Sequence, residues 1–218
     1  MSVEVPATVE RLLTAEVARE IAKTFGDEPV YPQRIVVDSP ADPSRRFPGW
    51  PGPVLVLSDE NQGVCSWGMP LGDSSGQVLV GGDLVDAGKA TVQYAASVED
   101  FIAARRWDHS CQSSSPFLQA QAAPLDGASL GYLQARLTPA VATAGWPGSR
   151  QYRFEGQGVR VLLWSCSWQC DWFISASNEP SLKAFAAGLL DLSNLRSALW
   201  SGHASGARLL GELRRAPR

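Results

Sequence analysis

The chain has 218 residues, which excludes three or more domains and leaves one large domain or one domain with an appended subdomain. Hydrophobic residues make up 44% and charged residues 19%, enough apolar side chain for a core and too little charge for disorder. The net charge of −3 hides an asymmetry, because residues 1–100 carry −8 and residues 101–218 carry +5.

Val9, Leu12, Leu13, Val17 and Ile21 recur at helical spacing behind Thr8, and the pattern ends at Lys23 and Gly26, so an amphipathic helix is expected over about 8–25. Prolines and glycines then crowd residues 29–53, a Pro-rich linker with one short strand at Arg34 to Val37. Four strand-like runs follow, Val54 to Leu57, Val64 to Met69, Gln77 to Val80 and Ala90 to Ala95, and their short turns imply an antiparallel meander. Ser97-Val98-Glu99-Asp100 is a capping box that opens a helix with Val98, Phe101 and Ile102 on its buried stripe.

Residues 112–148 form an Ala-rich insertion with a short helix around Tyr132 to Val141. Strands are expected again at Gln151 to Phe154 and from Val159 to about Ser175. From Trp164 to Trp172 every even position is Trp or Cys and every odd one polar, the period of a strand. Asn178 caps a helix bearing Leu182, Phe185, Ala186, Leu189 and Leu190, and short helices ending in Arg214, Arg215 and Arg218 close the chain.

Tested for chemistry, Gly72-Asp73-Ser74-Ser75-Gly76 has the composition of a protease nucleophile loop. The only histidines, His109 and His203, lie downstream of it, and a trypsin-like order needs the base upstream, so a hairpin turn is expected. Cys166 and Cys170 on a straight strand would lie about 13 Å apart, which excludes a shared metal ion and a disulfide unless the chain reverses near Ser167 and Trp168. Gly156-Gln157-Gly158 lacks the third glycine of a dinucleotide site, and no phosphate loop is present. No cofactor and no metal are expected. Trp164, Trp168 and Trp172 would suit a carbohydrate or nucleic-acid binder if exposed, but core packing is the favoured reading of such a row. An enzyme would have to be a hydrolase built on His109 or His203. No apolar run reaches the roughly 20 residues of a membrane span, and the first twenty residues lack the basic cluster and apolar run of a secretory signal. With four cysteines in a chain that needs no disulfide framework, a cytoplasmic location is expected.

The segment Asp59-Glu60-Asn61-Gln62-Gly63-Val64-Cys65-Ser66-Trp67-Gly68 reads as a turn, held by Asn61 and Gln62 bonding its own backbone, between two core strands. It also closely resembles the Glu-Asn-Gln-Gly-x-x-x-Trp-Gly hairpin of the SUKH superfamily, which includes fungal cell-wall-synthesis regulators and many bacterial immunity proteins. The pattern extends over residues 50–200, through the Ser97-led helix, Tyr152, Phe154, Gly158, the strand Val161 to Trp164, and Trp200. The resemblance implies one SUKH-like α+β domain over residues 1–218, with an antiparallel sheet of about six strands packed against helices. It further implies a non-enzymatic protein-binding module of the immunity or regulatory type, neutralising a toxin in the immunity case. The binding residues expected are Asp59, Glu60, Asn61, Gln62, Trp67, Asp73, Asp83 and Asp86. Residues 54–100 hold seven acids, including Glu99 and Asp100, against Lys89 alone; gathered on one edge of the sheet they would meet a basic protein partner, such as a toxin domain, rather than nucleic acid or a membrane, and scattered they merely keep the loops solvated.

Overall fold

The computed structural model describes residues 4–23, 25–190, 192 and 195–215; Arg218 of the expected basic tail lies outside them. The fold is α+β, with two antiparallel sheets and, among the described residues, six helices. The chain divides into two compact units, Met1–His109 with Thr143–Arg150, and Ser110–Ala142 with Gln151–Arg218. None of the helices is long and apolar enough to cross a membrane.

The first unit begins with two short helices, α1 (Ala7–Leu12) and α2 (Ala15–Ala22), where a single longer one is expected from the spacing. Thr14 causes the break: it sits in an extended conformation and its hydroxyl accepts the Val17 N–H, capping α2 and ending the run. Six strands follow, β1 (Glu28–Pro29), β2 (Val37–Asp38), β3 (Val54–Asp59), β4 (Cys65–Pro70), β5 (Val78–Leu84) and β6 (Gly88–Ala95), and then helix α3 (Val98–Gln112). The expected meander is present as β3-β4-β5-β6, with β1 and β2 both paired to β3. Of the strand expected at Arg34 to Val37 only the two-residue β2 forms, overlapping it at Val37. At the head of α3 the Ser97 hydroxyl accepts the Asp100 N–H at 3.0 Å and donates to its carboxylate, so the capping box forms as expected.

Alternation along β3, β4 and β5 gives this sheet two apolar faces. One carries Leu55, Leu57, Trp67, Met69 and Val80 and buries against Val9, Leu13, Ile21, Val98, Phe101 and Ile102 from the helices. The other carries Val54, Val56 and Leu79, and it is covered by the Pro-rich stretch itself, through Val30 and the fully buried Phe47. Residues 29–53 therefore pack as a lid over the sheet. Two strand glycines make room for it: a Cβ at Gly68 would lie 2.6 Å from the Phe47 ring, and one at Gly81 would lie 2.5 Å from the Arg46 carbonyl.

After α3 the chain runs through β7 (Phe117–Ala122), α4 (Gly127–Gln134) and β8 (Thr138–Pro139), and returns to the first unit for β9 (Thr143–Ala144). It then forms β10 (Arg150–Gly156), β11 (Val159–Ser165), β12 (Cys170–Ala176), α5 (Glu179–Leu189), β13 (Leu199–Trp200) and α6 (Ala204–Arg215). Six strands run in the order β13-β7-β12-β11-β10-β8. One face of this sheet, with Leu118, Val161, Leu163, Trp172 and Ile174, packs against Leu133, Leu182, Phe185, Leu189, Leu209 and Leu210. Asn178 caps α5 as expected, accepting the Ser181 N–H at 2.9 Å.

Three expectations are corrected here. The Ala-rich insertion holds β7, a strand bonded to β12 and β13. The helix expected at Tyr132 to Val141 is α4, which ends at Gln134, and Thr138 and Pro139 are in a strand instead. The continuous strand expected from Val159 to Ser175 is a tight hairpin, with Ser165 opposite Cys170 and the Cys166 N–H bonded to the Gln169 carbonyl at 2.9 Å. The reversal lies at Ser167 and Trp168.

Candidate functional site

The turn between β3 and β4 is held by more bonds than its length requires. Glu60 N–H donates to the Cys65 carbonyl and Gly63 N–H to the Glu60 carbonyl, each at 2.9 Å. The Glu60 carboxylate accepts the Gln62 N–H at 2.7 Å and the Val64 N–H at 3.3 Å. Gly63 takes the positive φ, +73°, that closes the turn. Glu60 thus plays the part expected of Asn61 and Gln62. Asn61 instead donates from its side-chain amide to the Phe25 carbonyl, which ties the turn to the segment after α2, while the Gln62 side chain is exposed. Replacing Asn61 with alanine is expected to cost about 1 kcal/mol of stability. A chemical denaturation midpoint unchanged by the substitution would show that the tie carries no weight.

The other expected binding residues separate. In an antiparallel meander the β3–β4 and β5–β6 turns share one end of the sheet and the β4–β5 turn occupies the other. Asp59, Glu60, Asp83 and Asp86 therefore gather at one end, and Asp73 lies at the opposite end with Glu99 and Asp100 at the start of α3. The seven acids do not form one edge. Several are also already engaged: Asp59 accepts from Ser66 and from Arg46 at 3.1 Å, and Asp86 accepts the Ser149 hydroxyl. Asp83 sits directly across the strand pair from Lys89, and Glu99 is 3.8 Å from Arg11. Beside the Glu60 turn runs a groove of about 560 Å³ lined by Arg45, Arg46 and Lys89 as well as Asp83, so this end carries both signs of charge.

Asp73 is a turn-holding residue. Its carboxylate accepts the Ser75 N–H at 2.8 Å and the Gln77 side-chain amide at 2.7 Å, and these bonds hold it below the usual carboxylate range. The Gly72–Gly76 segment is the hairpin turn that its composition implies.

Trp67 cannot touch a partner, because it is buried in the first unit. Its ring meets Tyr94 edge-on at 5.9 Å, and the Arg105 guanidinium stacks on it 4.6 Å from the centroid while also covering Phe25. Arg105 is ion-paired with Asp27, both side chains being at most 2% exposed. Sequence reasoning passed over this pair, although a signal exists: Arg105 extends the buried stripe Val98, Phe101, Ile102, and a charge at such a position demands a buried partner.

The aromatic row is not a row. Trp164 pairs across the hairpin with Asp171 and Trp172 with Leu163, so the two indoles point to opposite faces of the sheet. Trp172 is fully buried, Trp164 half-buried, and Trp168 stands at the hairpin tip, 56% exposed. Of the two histidines, His109 is half-buried on α3 in the first unit, and His203 is exposed ahead of α6 in the second, 5.9 Å from the Phe117 ring. All four cysteines are free, and burial pushes the Cys170 thiol up to about 12. Among the described residues no group of three His, Cys, Asp or Glu side chains could hold a metal ion.

No family model, no curated protein and no solved structure matches the chain.

Proposed function

We propose that this chain is a non-enzymatic, cytoplasmic protein-binding module of the immunity or regulatory type that its SUKH-like hairpin implies, and that its partner is a basic protein. The observation that carries the reading is the Glu60–Gly63 turn. It is polar, open at Asn61 and Gln62, and braced by the Glu60 carboxylate and by the Asn61 bond to Phe25. A contact surface whose shape is already set loses little conformational entropy on docking. Asp83 and Asp86, exposed at the same end of the sheet, add negative potential that would speed association with a cationic surface.

Affinity capture with the full chain tests this. A single basic protein should be retained by the wild type, lost when Glu60, Asp83 and Asp86 are all changed to lysine, and released as salt rises from about 50 to 300 mM. Equal retention by the charge-reversed chain would overturn the reading.

A further inference from the structure

We draw no further inference here: the strongest candidate, the patch of the second sheet where the exposed Trp200 lies across from Gln119 and Gln119 across from Phe173, is a sheet face for which nothing in the structure shows what covers it.

Discussion

Replacing Phe47 with alanine is expected to destabilise the first unit by about 3–5 kcal/mol, the range for deleting a buried aromatic ring from a site that cannot collapse. Phe47 is fully buried on the outer face of the sheet with Val30, Val54, Val56 and Leu79, a small cluster in which it is the largest side chain. The sheet is shaped around it, since Gly68 and Gly81 leave the space that the ring and its backbone fill. Removing the ring leaves a cavity lined by two glycines and releases the Pro-rich lid that it anchors. A melting temperature lower by roughly 10 °C is the expected reading, and Gly81→Ala should also destabilise, because its Cβ would meet the Arg46 carbonyl and the Phe47 backbone. A loss below about 1 kcal/mol for Phe47→Ala would mean that the lid is not held by this contact.

Asp27→Ala should cost a similar 3–5 kcal/mol, for a different reason. It removes the Asp27 carboxylate from beside the buried Arg105 guanidinium, which is stacked between Phe25 and Trp67. The pair is not therefore a net stabiliser. Its two charges lost hydration on burial, and replacing both by apolar groups of similar size often restores stability. The double change Asp27→Leu with Arg105→Met is accordingly expected to be less destabilising than Asp27→Ala alone. Denaturant titrations of the single and double variants measure the coupling. Additive costs would show that the two side chains act independently.

What could be read along the chain was whatever a few neighbouring residues decide among themselves. Ser97 and Asn178 cap helices because their side chains reach backbone N–H groups three residues on, and the β3-β4-β5-β6 meander follows from short apolar runs broken by turn formers. The hairpin at Glu60 was visible as a turn, but the side chain that braces it was not, because a carboxylate and an amide are both able to hold a turn and only the three-dimensional path puts the Phe25 carbonyl beside Asn61.

Alternation misled at Trp164 to Trp172 for a physical reason. A two-residue reversal puts the even positions of its two arms on opposite faces of the sheet, so Trp164 and Trp172 share a rhythm in the sequence without sharing a face. In β7, Leu118, Ala120 and Ala122 line a core face, yet a run of alanines has no apolar weight until Trp172 from the neighbouring strand supplies the bulk. Charge is the sharpest case. The surplus of acid between Val54 and Asp100 is plain in the sequence, but whether a carboxylate is available depends on distant partners: Arg46 for Asp59, Ser149 for Asp86, Arg11 for Glu99. Glu4, Glu10 and Glu16, outside that stretch, have no side-chain partner among the described residues. Local chemistry determined the elements of this protein; which charges are spent, and which apolar side chains are covered, only long-range packing decided, because a charge or a ring is neutralised by whatever the fold brings within a few ångströms of it.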